Sequence, residues 1–383
     1  MNRFEQLKDI LMTENCFKMI CGAGNEDAPY VKKLSFIYTL AGAKILDVSA
    51  NPNVVRHAKE GIDLAFERST SFGIDVGVRP FIMVSVGMPG DHHVRKSYID
   101  PHTCVECGLC IPVCPTDAIP SDFVSKLDIF KQLNGTFDTE DQSKEIVIKN
   151  LCIGCGKCSN ICPKDDIISY RHNYRELEKL LPRCMEAGAE TFELHAAVGE
   201  DDITLKEWKL ITSTNPHNFN SVCLDRLNLG NLNLEYRIEQ LKNISNDKLI
   251  IQSDGYPMSG GENDFNTTLQ AVACADVINK KFNMRVNKKI KKEGSGKAEL
   301  TSKKSYRPAG HRLGVFILLS GGTNALTRKL TQSCDVRCNG VSIGTYARDI
   351  IENFVTDEMF WSTDNIILNA LEIAKDLVKE NEI

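Results

Sequence analysis

Little in the sequence would send this chain to a membrane or to a nucleic acid. No apolar run approaches the roughly 20 residues that a transmembrane helix needs. The opening, MNRFEQLKDILMTENCFKMI, scatters acids among its apolar residues and lacks the stretch and cleavage site of a secretory signal. Charge of one sign is also scarce: 46 Lys and Arg against 51 Asp and Glu leave a net −5, no overall reason to expect an anionic partner. There is no Walker loop, no H-E-x-x-H helix and no G-x-S-x-G, so the common signatures of nucleotide hydrolysis, zinc proteolysis and serine hydrolysis are missing. A composition 42% hydrophobic and 25% charged supports a real core, and 383 residues make one large domain or two ordinary ones. These absences predict a chain without membrane spans, resident in the cytoplasm or, in a plastid-bearing source, the stroma.

Cysteine is what the chain has in excess, with fifteen. A chain this long needs no disulfide staples, so thiols in a reducing compartment point to metal. Eight of them form two matching runs, Cys104-x2-Cys107-x2-Cys110-x3-Cys114-Pro115 and Cys152-x2-Cys155-x2-Cys158-x3-Cys162-Pro163. This is the spacing of bacterial-type ferredoxins, in which three thiolates wrap one cubane and the fourth ligates the other. Gly108, Gly154 and Gly156 let the backbone approach the sulfides. The assignment is one [4Fe–4S] cluster on Cys104, Cys107, Cys110 and Cys162, and a second on Cys152, Cys155, Cys158 and Cys114. A zinc site would account for one such run but poorly for two with both prolines. Thr116-Asp117-Ala118-Ile119 and Lys164-Asp165-Asp166-Ile167-Ile168 repeat as a duplicated half-module should, and residues 121–149 are expected to add a helix and a strand. The other seven, Cys16, Cys21, Cys184, Cys223, Cys274, Cys334 and Cys338, read as core thiols; Cys334 and Cys338 alone do not make a metal site.

Outside the runs, strand-like and helical patterns alternate. FKMICG is followed by a helix near 28–41 with Asp27 as N-cap, Pro29 in its first turn and Gly42 as its stop. A second helix over 172–187 leads into another Ala-Gly-Ala junction. Strands beginning near 17, 45, 81, 191, 221, 248, 314 and 340 are spaced by about one βα unit, roughly 28 residues, except at two insertions. Eight units predict an α/β fold, a (β/α)8 TIM-like barrel with a 2[4Fe–4S] ferredoxin module inserted after strand 3; an open doubly wound sheet has the same periodicity. The boundaries are 1–90 for strands 1–3, 91–170 for the module and 171–383 for strands 4–8. Within the last, a basic insertion at 281–312 reads as a disordered surface loop. Counted over 280–312 it holds twelve Lys and Arg against two Glu. With Tyr306 its one aromatic besides Phe282, specific nucleic-acid binding is not expected there; an arm for a protein, lipid surface or RNA is the functional alternative. The module should emerge at the C-terminal face of the barrel and the basic stretch at the opposite end.

At the predicted mouth, Gly321, Gly322 and Thr323 after strand 7 and Gly344 and Thr345 after strand 8 are candidates for holding a phosphate, as in flavin mononucleotide or a phosphorylated metabolite. Lys18, within strand 1, and Asp47, Asn51, His92, His93, His195, Asp225, Arg226 and Asp254, near other strand ends, are candidates to face the same mouth. No catalytic pairing is evident from their spacing. Gly22-Ala23-Gly24 lacks the third glycine of a dinucleotide fingerprint.

The segment FKMICGAGNEDAPYVKKLSFIYTLAGAKILDVSANP, the two cysteine runs, and the GGTN and IGTYAR segments together resemble the cyanobacterial light-dependent period protein (LdpA) family. The opening segment is also similar to the Ycf23 family of predicted barrels. The resemblance implies an iron–sulfur protein that conveys redox state, set by light and the plastoquinone pool, to the circadian clock. Its partners would be the quinone pool or an electron carrier and clock-associated proteins. The eight cysteines carry over one for one, whereas the lysine-rich insertion has no counterpart. Two functions follow: a regulatory redox sensor, or an oxidoreductase in which the clusters pass electrons to a flavin or substrate in the barrel mouth.

Overall fold

A computed structural model of the chain describes residues 2–87, 97–132, 146–148, 151–152, 157–165, 167–170, 174–197, 201–255, 264–292, 298–306, 314–320 and 326–382. Eight parallel strands close into a barrel: β1 (Cys16–Ile20), β2 (Ile45–Ser49), β3 (Phe81–Gly87), β4 (Thr191–His195), β5 (Asn220–Asp225), β6 (Leu249–Asp254), β7 (Phe316–Ser320) and β8 (Gly340–Ile343). Each strand pairs with the next, and β1 closes on β8 with Cys16 opposite Gly340 and Lys18 opposite Ser342. The observed strand starts lie within two residues of those expected, and closure excludes the open sheet.

Local sequence explains the repeat. In the helix Ala28–Ala41, Asp27 accepts from the Tyr30 N–H, Pro29 opens the first turn, and Gly42 ends the helix at φ 102°, a left-handed conformation that favours glycine. Along each strand, alternate residues enter two different cores. Phe17, Met19, Leu46, Ile82, Val84, Ile251, Ile317 and Leu319 pack outward against the helices. Cys16, Ile45, Phe81, Met83, Ile250, Phe316 and Leu318 form a second cluster with Phe219, Leu7, Ile10 and Leu11.

That second cluster belongs to an element the sequence reading did not assign. The helix Arg3–Met12, capped by Asn2, packs Leu7, Ile10 and Leu11 against the lower barrel. Phe4 stacks on Phe219 at 4.8 Å between centroids, and Arg3 lies over the Phe81 ring while its Nε donates to Glu190. The signal was present as apolar residues at 4, 7, 10 and 11, a helical stripe.

The chain leaves the barrel twice. After β3 it enters the cysteine-rich module, whose base is an antiparallel pair, Ser97–Ile99 with Ile168–Tyr170. Of the helix and strand expected over 121–149, the helix is present as Leu127–Gln132 after a short 3-10 turn; no strand occurs there among the described residues. The second departure follows the helix Asp264–Ile278 and one π-helical turn, Asn279–Asn283. Here the expected disordered loop is corrected: Met284–Lys292 and Ala298–Tyr306 pair as an antiparallel ribbon from Met284↔Tyr306 to Lys292↔Ala298. Val286 and Ile290 lie in register with Lys304 and Leu300, and the intervening Glu-Gly-Ser-Gly-Lys supplies the turn residues that signal a hairpin. The lysines mask that alternation in a reading by charge. At the ribbon's root Asn283 accepts from the Val315 N–H and donates back to the Val315 carbonyl. Because it joins a helix end to a strand start, the ribbon leaves the barrel at the end opposite the module's attachment. No helix among the described residues is long and apolar enough to cross a membrane.

Candidate functional site

Two regions concentrate chemistry. In the module, Cys110, Cys152 and Cys158 are buried in a small core with Ile99, Ala118, Ile119, Phe123 and Ile167, and Cys104, Cys114 and Cys162 pack against it. The two runs, far apart in sequence, are thus brought to one core. Cys107 is exposed, and none of the described cysteines is in a disulfide. Cys155, Gly154 and Gly156 lie outside the described residues.

The loops are built to receive anionic sulfur. Glu106 and Gly108 take positive φ, 61° and 68°, which turns the backbone between Cys104 and Cys110. Burial pushes the Cys110 thiol up to about 11, and nearby Cys104, Cys158 and Cys107 add to the rise, as expected where thiols of both runs converge. At Cys114 burial also pushes upward, but N–H groups of Thr116, Ile119 and Ala118 and the Thr116 hydroxyl outweigh it, so this thiol sits below its ordinary value. Asp117, at φ 51°, makes that cradle. Ser97 Oγ lies 3.4 Å from Cys158 Sγ. Among the described residues no three His, Cys, Asp or Glu side chains stand close enough to hold a single metal ion. Thiols from two runs at ferredoxin spacing are the donor set of iron–sulfur cubanes rather than of one tetrahedral zinc ion.

The second region is the upper barrel. A structural barrel interior is filled with layers of branched apolar side chains; here the filling changes from apolar to ionisable halfway up. Lys18, fully buried, directs Nζ to Asp47 Oδ2 (2.8 Å), Glu193 Oε2 (2.7 Å) and Gln252 Oε1 (2.8 Å), so three strands meet on one ammonium. Ser85 donates to Asp47 Oδ1 and Ser221 to Glu193 Oε2, both at 2.6 Å. Above them Cys223 donates to Asp254 Oδ2, and His195 Nε2 lies 3.9 Å from Glu193 Oε1. Burial opposes the charge on Lys18, but Asp47 and Glu193 overcome it and raise its pKa. Burial likewise opposes the Glu193 carboxylate, yet Lys18 keeps it below the usual range. Asp254 is pushed up to about 7 by burial and by the Glu193 charge, against opposing help from Cys223, His195 and Ser320.

Of the residues proposed for the mouth, Lys18, Asp47, His195 and Asp254 do face this interior. Asn51 instead caps the helix Pro52–Arg68 and Arg226 donates to Asn231, while Asp225, opposite Asp254 in the β5–β6 register, shares its face and accepts from Asn228. His92 and His93 lie outside the described residues. Glu193, Gln252, Ser85 and Ser221 were missed because alternate strand positions declare themselves only once the strands close into a barrel. Cys223 is buried as expected but faces this polar interior. Of the phosphate candidates, Gly321, Gly322 and Thr323 fall outside the described residues. Gly344 and Thr345 adjoin Arg348, whose guanidinium donates to the Ile20 carbonyl (3.0 Å) and to Thr345 Oγ1 (3.2 Å).

Residues 103–165 match the 4Fe-4S double cluster binding domain family. Over 120 residues the chain is 41% identical to Light dependent period A of Synechococcus elongatus, a stretch that covers 31% of this chain and 32% of that protein. The match spans about a third of that relative's length. The chain is an iron–sulfur protein related to that cyanobacterial protein, with the 4Fe-4S domain inserted after the third strand of its barrel. Among solved structures, a truncated 3-deoxy-D-arabino-heptulosonate 7-phosphate synthase from Thermotoga maritima superposes with TM-score 0.42 and 11% identity over 96% of this chain and 84% of its own. Tryptophan synthase from M. tuberculosis does so at 0.40 and 8%, covering all of both chains. For this chain the fold rests on its own strand pairing.

Proposed function

We propose that the chain is a redox-sensing protein holding two [4Fe–4S] clusters, and that it reports light-dependent redox state to the circadian clock. The observation that carries the reading is the meeting of six cysteines from the two C-x2-C-x2-C-x3-C-P runs in one core, with backbone N–H groups trained on Cys114. Cys104, Cys107, Cys110 and Cys162 would hold one cluster and Cys152, Cys155, Cys158 and Cys114 the other. Bound there, the clusters would supply one-electron redox chemistry. The protein's own part is to neutralise thiolate charge with oriented N–H groups, exclude water with Ile99, Phe123 and Ile167, and leave an approach open at the first run. That approach is the exposed Cys107 with Val105 and Leu109 beside it, which suits an electron carrier or quinone. Clock-associated proteins would be downstream partners, and the compartment would be the cytoplasm or stroma.

A second reading, an oxidoreductase delivering electrons to a flavin or phosphorylated ligand in the barrel mouth, is favoured by the acid–base groups of the upper barrel. Anaerobic purification followed by iron, sulfide and flavin analysis tests both. About eight iron and eight sulfide per chain without flavin supports the sensor; flavin bleached through the clusters supports the enzyme. Fewer than half those iron equivalents would refute the two-cluster assignment.

A further inference from the structure

The polar interior of the barrel has more hydrogen-bond acceptors than donors. Lys18 donates to Glu193 and Gln252 and holds Asp47 Oδ2 as an ion pair at 2.8 Å, so its ammonium is engaged on three sides. The hydroxyls of Ser85 and Ser221 are spent on Asp47 and Glu193, and the Cys223 thiol on Asp254. Glu193 Oε1 and Asp254 Oδ1 remain, both buried and without a well-formed hydrogen bond among the described residues. A third such atom is Ser342 Oγ. Ser342 is 1% exposed and stands opposite Lys18 in the β1–β8 register, so its side chain enters the barrel on the same face. Charge is unbalanced in the same direction once Asp254 ionises above about pH 7, since one lysine then faces Asp47, Glu193 and Asp254. Buried polar atoms in native proteins are paired almost without exception, so orphaned carboxylate oxygens beside an inward hydroxyl mark a place for a donor. A phosphate or carboxylate ligand carries only acceptors and would worsen both imbalances.

We propose that the upper barrel is a binding site for a small primary ammonium ligand, whose N–H groups bond Asp254 Oδ1 and Glu193 Oε1 with Ser342 Oγ as a third contact. The site is distinct from the cluster module. His195, 9% exposed and 3.9 Å from Glu193, stands at its outer edge, where β4 pairs with Gly87, the last residue before the module.

The test uses the anaerobically purified, cluster-loaded full chain and follows barrel unfolding against methylammonium chloride. Tetramethylammonium chloride, of equal charge but without N–H donors, sodium chloride and inorganic phosphate serve as controls. The expected result is a saturable rise in melting temperature with methylammonium alone, with affinity reduced at least tenfold in Asp254→Asn and severalfold in Ser342→Ala. Calorimetric titration of the same proteins at a fixed temperature keeps the test valid if Asp254→Asn alters stability. Equal responses to methylammonium and tetramethylammonium, a response to phosphate alone, no response, or full retention in both variants would overturn the proposal. Iron content, measured in parallel, reports separately on the cluster reading.

Discussion

Replacing Lys18 by methionine leaves the volume of the barrel interior nearly unchanged but strands two buried carboxylates. Asp47 and Glu193 are 1% and 0% exposed and face each other across the vanished ammonium. Removing one partner of a buried ion pair typically costs about 3–5 kcal/mol, because the remaining charge has no compensation. With an unfolding entropy of about 2 cal/mol/K per residue, a chain this long converts about 4 kcal/mol into a melting shift of roughly 5 °C. Differential scanning calorimetry at pH 8 should show that fall with iron content unchanged. The loss should shrink at pH 5. In the variant both carboxylates have folded-state pKa values above their unfolded ones, so they cost stability above those values and regain it by binding protons as pH falls. Lys18→Met combined with Asp47→Asn and Glu193→Gln should recover most of the stability, since no charge is then left unpaired. A triple variant no more stable than the single one, or a single variant equally impaired at pH 5 and pH 8, would refute the electrostatic account.

Asp254 gives a second pH signature: held at about 7 in the folded chain, it keeps a proton that the unfolded chain releases near the ordinary aspartate value. Stability should therefore fall as pH rises through that interval, by up to about 4 kcal/mol, and Asp254→Asn should flatten the slope in thermal melts from pH 4 to 8. Cys107→Ser should lower bound iron from about eight to about four per chain, leaving β-barrel melting in place; unchanged iron would refute the ligand assignment. Leu11→Ala, which opens a hole between the N-terminal helix and Phe81, Phe219 and Phe316, should cost about 2–5 kcal/mol in denaturant unfolding. Gly340→Ala should prevent barrel closure, because a Cβ there would meet the Cys16 carbonyl oxygen at 1.9 Å; a soluble, cooperatively melting variant would contradict the β1–β8 register.

The barrel and the site of its cluster insertion were legible because each βα unit carries local punctuation, such as Asp27, Pro29 and Gly42, and because ligand spacing for a cubane is written in consecutive residues. What was not legible is what closure creates. Glu193 is one acid in a short strand until β1 and β4 face across the interior and Lys18 reaches it. The apolar stripe of residues 4–11 was readable as a helix, but its role as the floor of the barrel depends on the eight strands that follow it closing above it. The basic ribbon was missed because lysine side chains weigh against a strand in composition, while Val286 and Ile290, with the sequence Gly-Ser-Gly between the two strands, argue for one.

The closure of β1 on β8 also sets an order of events during synthesis. Cys16 finds its strand partner only when Gly340 has been made, and Asn339 then binds the Leu11 carbonyl while Arg328 holds that of Glu14. The cysteine-rich module needs none of this: its base pair, Ser97–Ile99 with Ile168–Tyr170, and its core are complete within one continuous stretch. At about 5–20 residues per second, roughly ten to thirty seconds separate the completion of the module from the arrival of β8. Metal can therefore be delivered to a finished acceptor while the barrel around its roots is still an open, unclosed sheet.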